Sequence, residues 1–133
     1  MKRSKTLSIR IETAFDKAWD FISDPKNVHL WTVDFALEPP KQNGEIYSVK
    51  TSRGEIDLFV KTSREDGKID FYFGRDGHFE SSSSRLIALT GRREIAYYFT
   101  QCEPDNAPPG LFEKLVSNVK RELEVLKEIL ESR

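Results

Sequence analysis

Cysteine is almost missing from this sequence. Cys102 stands alone, so no internal disulfide can form and the chain suits a reducing compartment. The cytoplasm is the expected location. Histidine is nearly as scarce: His29 and His78 are the only two, and with one cysteine they offer no local ligand spacing, so no metal site is expected. No run of about 18 uncharged apolar residues occurs, which excludes a helix crossing the bilayer. The opening MKRSK is basic like the head of a signal peptide, but no apolar stretch follows, and it reads as a solvated tail. Excess charge of one sign is also lacking, since 21 basic residues nearly balance 22 acidic ones. Recognition of nucleic acid or of a membrane surface by bulk charge is therefore not expected. Arg92-Arg93 and Lys120-Arg121 have acidic neighbours and read as solvated faces. Gly74-Arg75-Asp76-Gly77 lacks the strand, loop and helix context of a phosphate-binding loop or a nucleophile elbow.

What is present is patterning. The chain has 133 residues with 38% hydrophobic content, enough for one core, and residues 1–133 are expected to form a single domain. Thr6 to Ile11 alternates, with Leu7, Ile9 and Ile11 on one side, as a half-buried strand does. Thr13-Ala14-Phe15-Asp16 fits a capping box and predicts a helix with Phe15, Ala18, Trp19 and Ile22 on one face. Asp24-Pro25 ends that helix and can cap a second short one. Turn signals at Pro39-Pro40, Asn43-Gly44, Arg53-Gly54, Glu65-Asp66-Gly67, Asp76-Gly77 and Gly91-Arg92 then punctuate a strand-like region. They predict strands over Thr32 to Leu37, Glu45 to Ser52, Glu55 to Ser63, Lys68 to Phe73, Phe79 to Thr90 and Arg93 to Cys102. Short turns imply an antiparallel meander. The serine run Ser81 to Ser84 leads directly into Leu86-Ile87 and is taken as strand rather than linker. From Pro108 to Ser132, Phe112, Val116, Val119, Leu123, Leu126 and Leu130 step by fours and threes, widened by Leu111, Leu115 and Ile129. This predicts an amphipathic helix docked on the sheet.

Three segments carry a resemblance. Ile9-Arg10-Ile11-Glu12 leads into Ala18-Trp19-Asp20-Phe21-Ile22-Ser23-Asp24-Pro25, with Trp31 a few residues later. Val119-Lys120-Arg121-Glu122-Leu123-Glu124-Val125-Leu126-Lys127 closes the pattern. Together they resemble the START-like, pollen-allergen-like helix-grip (SRPBCC) superfamily, in its polyketide cyclase/dehydrase-like branch, over nearly the whole chain. The resemblance implies an α+β helix-grip fold. A curved seven-stranded antiparallel sheet would wrap around a long C-terminal helix, and two short helices between strands 1 and 2 would form a V supporting one end of it. The sheet and long helix would enclose a cavity. Such patterns are mostly packing residues, so they specify fold better than function.

Trp31, Phe35, Phe59, Phe71, Phe73, Tyr97, Phe99, Phe112 and Val116 are the residues expected to shape that cavity, as an apolar or aromatic ligand requires. Taken singly, each reads first as ordinary core; it is as a set, and through the resemblance, that they point to a cavity. Asp57, Asp70, Tyr72 and His29 are the weaker candidates for acid-base chemistry, with alternation placing Asp70 and Tyr72 opposite Phe71 and Phe73. The leading expectation is binding of a small hydrophobic or aromatic ligand, with no cofactor. The alternatives are a polyketide cyclase-like or dehydratase-like enzyme, which needs inward polar groups, and a chaperone-activator-like interaction module, which needs a filled core and an exposed apolar patch. Whether the chain forms a homodimer stays open.

Overall fold

In a computed structural model, which describes residues 2–89 and 93–132, the chain folds as strand β1 (Ser4–Ile11), helices α1 (Phe15–Ile22) and α2 (Val28–Trp31), strands β2 (Lys41–Asn43), β3 (Ile46–Thr51), β4 (Gly54–Ser63), β5 (Lys68–Arg75), β6 (His78–Ala88) and β7 (Ile95–Cys102), and helix α3 (Leu111–Glu131). The strands form one antiparallel sheet in the order β1-β7-β6-β5-β4-β3-β2. This is the α+β architecture expected of a sheet gripping a long terminal helix.

Alternation sets the inner face. Leu7, Ile9 and Ile11 of β1 lie opposite Phe99, Tyr97 and Ile95 of β7. On β4 and β5, Leu58 faces Phe73 and Val60 faces Phe71. The serine run is strand, and its period of two divides it: Ser82 and Ser84 are buried opposite Phe71 and Ile69, while Ser81 and Ser83 are exposed. Ser84 Oγ satisfies itself by donating to the Ile69 carbonyl at 2.6 Å. The turn between β5 and β6 places Asp76 at φ +51° and Gly77 at φ +80°, the doubly left-handed pair that Asp-Gly favours in a two-residue hairpin loop.

Helix α3 packs chiefly on β1 and β7. Its C-terminal half is the gripped part, with Leu123, Leu126 and Leu130 buried against Ile11, Ile22 and Ile95 in one core. The break at Asp24-Pro25 behaves as its chemistry dictates. Asp24 Oδ1 accepts from the Lys26 N–H at 3.0 Å, Pro25 opens a turn of 3-10 helix, and α2 follows at once.

Two sequence expectations fail for identifiable reasons. Thr13 does not cap α1. The helix begins at Phe15 with Ala14 as its N-cap and no capping side chain, and the Asp16 carboxylate pairs with Arg64 instead. Thr32 to Leu37 is not a strand. Asp34 and Ala36 adopt left-handed backbone at φ +61° and +56°, Thr32 Oγ1 bonds the carbonyls of Val28 and Phe35 at 2.6 and 2.7 Å, and the Val33 N–H goes to a side chain of α3. With two left-handed residues and these groups taken by side chains, the segment makes isolated bonds to the β3 region, from Leu37 N–H to the Lys50 carbonyl at 2.7 Å and from Ser52 N–H to the Asp34 carbonyl at 3.4 Å, and not a ladder. The sheet still reaches seven strands because Lys41–Asn43, up to the Asn43-Gly44 turn, pairs with β3. The Gly91-Arg92 turn lies outside the described residues, as does Thr90 at the end of the predicted sixth strand. Among the described residues, no helix is long and apolar enough to cross a membrane.

Candidate functional site

The sheet curves away from the N-terminal half of α3, and the gap is a cavity of about 670 Å³. Its aromatic wall comes from three elements. Trp31 ends α2 and meets Phe71 of β5 edge-on at 6.3 Å between ring centres. Phe71 in turn contacts Phe99 of β7 at 6.1 Å, and Phe35, in the loop after α2, packs edge-on against Phe73 at 6.2 Å. Helix α3 closes the far side with Leu111, Leu115, Asn118 and Val119, a spacing of four, three and one that keeps them on one stripe. The mouth is polar: exposed Arg53, Arg75, His78, Asp105 and Lys114 rim it.

One acidic side chain lies deep among these groups. Glu122 lines the cavity one turn beyond Val119 and is 9% exposed. Its Oε2 accepts from the Val33 N–H at 2.8 Å, which ties α3 to the loop after α2. Burial pushes the Glu122 carboxyl up to about 8; the Val33 amide works against that rise and the charge of Asp34 adds to it. At neutral pH the group is therefore mostly protonated and able to donate as well as accept. Two neighbouring groups have unused hydrogen-bonding capacity. Trp31 Nε1 and the Tyr97 hydroxyl are buried without a partner. Burial, with the nearby Glu122 charge adding, raises the Tyr97 phenol well above its ordinary range, so it stays protonated.

No family model matches the chain, and no curated protein does. Solved structures match it closely in shape. A START superfamily protein from Mycobacterium smegmatis superposes with a TM-score of 0.69 at 9% identity, covering 96% of this chain and 97% of that one. The chain has the START-like helix-grip fold. An uncharacterized protein from Bacillus thuringiensis shares the helix-grip architecture, with a TM-score of 0.77 at 11% identity over 98% of this chain and 100% of its own. The di-domain ARO/CYC protein BexL of the BE-7585A biosynthetic pathway gives 0.70 at 11% identity, with 95% of this chain matching 45% of that one.

Within this helix-grip frame the sequence-derived residues divide. Trp31, Phe35, Phe71, Phe73 and Phe99 line the cavity together. Phe59, Tyr97, Phe112 and Val116 are not among its lining residues. Register turns Phe59 to the outer face: it lies opposite Tyr72, stacks on that ring at 4.9 Å and meets Phe79 at 5.0 Å. Tyr97 is on the inner face but fully enclosed between β1 and β6. Phe112 is covered by the Arg3 guanidinium, 4.7 Å from its ring centre, and Val116, one turn further, shares that side of α3.

The weaker acid-base candidates are also outside the cavity. Asp57, Asp70 and Tyr72 sit on the outer face, opposite Gly74, Lys61 and Phe59 in register. Asp70 Oδ1 is buried there without a partner. His29 is half-buried on α2 with Nδ1 unpartnered, and it does not line the cavity; the exposed His78 does, at the mouth. Sequence reasoning missed Glu122. A signal existed, since Glu122 lies three residues after Val119 and four before Leu126, on the flank of the apolar stripe rather than opposite it. Among the described residues, no cluster of His, Cys, Asp and Glu could hold a metal.

Proposed function

We propose that this protein binds a small hydrophobic or aromatic molecule between the sheet and the N-terminal half of α3. The observation that carries the reading is the cavity of about 670 Å³ with its wall of Trp31, Phe35, Phe71, Phe73 and Phe99. That volume lies within the range of roughly 300–1,000 Å³ typical of small-molecule sites, and flat aromatic faces beneath a polar mouth match such ligands. The likeness to a START superfamily protein and to an ARO/CYC protein supports it. Native mass spectrometry of the purified protein, beside the same sample denatured, provides the test. The expected result is a bound mass lost on denaturation, or uptake of a naphthalene-based fluorescent probe by the ligand-free protein. A clean mass with no probe uptake would overturn the reading.

A second reading, a cyclase-like enzyme, draws on one observation: Glu122 is a protonated carboxyl inside the cavity, where it could move a proton to or from a bound substrate. The interaction-module alternative requires a filled core, and the open space beneath α3 weighs against it.

A further inference from the structure

The polar groups of the cavity are arranged by depth. The mouth carries Arg53, Arg75 and Lys114, all exposed, whereas the buried inner end carries Glu122 and Trp31, and Trp31 lies edge-on to Phe71. Trp31 Nε1 is a hydrogen-bond donor with no acceptor among the described residues, and Trp31 itself lines the cavity. Only one oxygen of Glu122, Oε2, is engaged by the backbone. A buried donor without an acceptor is costly to maintain. It is satisfied if an acceptor arrives with the ligand.

We infer that the inner end of this cavity recognises a neutral carbonyl oxygen, as in an aryl ketone or a quinone, held by hydrogen bonds from the Glu122 carboxyl and the Trp31 indole N–H. The inference rests on the ligand-binding reading and names the chemistry of the ligand's buried end. Three classes of head group compete for this place. A carboxylate or phosphate would meet Glu122 and, beside it, Asp34, with no buried cation to offset them. An ammonium would require Glu122 ionised, against the burial that holds it protonated, and would leave the indole donor facing a cation. A carbonyl accepts from both donors and adds no charge. Of the other ionisable groups that line the cavity, Asp34, Arg53, Arg75, His78, Glu80 and Asp105 from other segments and Lys114 from α3 itself, Asp34 is the one that acts on the Glu122 carboxyl; Tyr97 of β7 lies within range of it and stays neutral.

Three probes of one shape separate these head groups: methyl naphthyl ketone, isopropylnaphthalene and naphthylmethylamine, titrated calorimetrically into the ligand-free protein. The ketone is expected to bind about tenfold more tightly than the hydrocarbon, the worth of one or two hydrogen bonds made in a dry site. Its affinity should fall by about threefold to tenfold as pH rises through the Glu122 ionisation, while that of the hydrocarbon stays level. Glu122→Gln, which can still donate but cannot ionise, should keep the ketone preference and lose the pH dependence. Trp31→Phe, which also trims the cavity wall, should weaken both probes but lower ketone affinity more than hydrocarbon affinity, so that the ketone preference shrinks. Equal affinity for ketone and hydrocarbon would overturn this inference and leave the ligand-binding reading standing. Preference for the amine would overturn it in favour of a charged carboxylate at Glu122. Failure of all three probes would overturn both.

Discussion

Glu122 ties the pH dependence of stability to a single residue. In the unfolded chain its carboxyl releases a proton in the ordinary carboxylate range, and in the folded protein only near 8. Between those values the folded state holds a proton that the unfolded state has lost. Stability is therefore full below the ordinary range, falls by up to about 1.4 kcal/mol per pH unit as pH rises toward 8, and levels off beyond. The carboxylates of Glu103, Glu113 and Glu131, each lowered by a basic or amide partner, act in the opposite sense and only in acid. Denaturant titrations from about pH 5 to pH 9 should show this decline in the wild type and a flatter profile in Glu122→Gln, which keeps an acceptor for the Val33 N–H. A second buried group gives a contrasting expectation. The Tyr97 hydroxyl has Ser84 nearby, but Ser84 Oγ already donates to the Ile69 carbonyl and no bond of good geometry reaches the phenol, so Tyr97→Phe should be neutral or stabilising by up to about 1 kcal/mol, unlike most substitutions at a fully buried position. Urea midpoints for the two proteins decide it.

Elements hold one another through backbone groups as well as apolar faces. Helix α3 has no basic residue in its last turn, yet its negative end is not left bare. Lys17 of α1 donates to the carbonyls of Leu130 and Ser132 at 3.1 and 3.0 Å, and the Glu131 carboxylate accepts from the Glu12 N–H at 2.9 Å. The cation that a helix end favours thus comes from another element. Lys17→Gln should lower stability by about 0.5–1 kcal/mol, with the loss shrinking in high salt, as thermal melts at two ionic strengths would read out. Such long-range bonds also mark where sequence reading stops. Strands β3 to β7, the Asp24-Pro25 break and α3 were legible because alternation, turn dipeptides and the fourfold-threefold stripe are local signals. Thr32 to Leu37 alternates too, yet it is a loop, with left-handed backbone at Asp34 and Ala36 and with Val33 bonded to Glu122, which lies 89 positions away. Phe59 was placed on the wrong side although its own strand held the signal: Ile56, Leu58 and Val60 share one face, and Phe59 falls with Asp57 and Lys61 on the other. The aromatic wall was legible as residue types and not as an assembly. Glu122 was hidden by the general rule that a helical glutamate is solvated.

At the scale of the whole molecule, the grip on α3 is uneven. Its C-terminal half is locked, with Leu126 and Leu130 essentially without solvent exposure, whereas Leu111, Leu115 and Val116 in its N-terminal half are only partly covered. Stability and the proposed binding therefore fall to different halves of one helix. The closed half supplies the core that Ile11, Ile22 and Ile95 complete, and the open half forms a wall of the cavity. A bulky residue should have opposite consequences in the two places. Leu115→Trp adds volume where space already exists, so no neighbour must move and the melting temperature should hold, while probe binding and any co-purified mass disappear. Leu126→Trp adds the same volume to a filled core and should cost about 1–3 kcal/mol or prevent folding, because close-packed side chains there have no room to yield. Calorimetric melts and a naphthyl probe titration on both variants separate the two effects. If Leu115→Trp instead melted early, the N-terminal half of α3 would be part of the structural core, and the open cavity could not be the feature that the helix leaves free for a ligand.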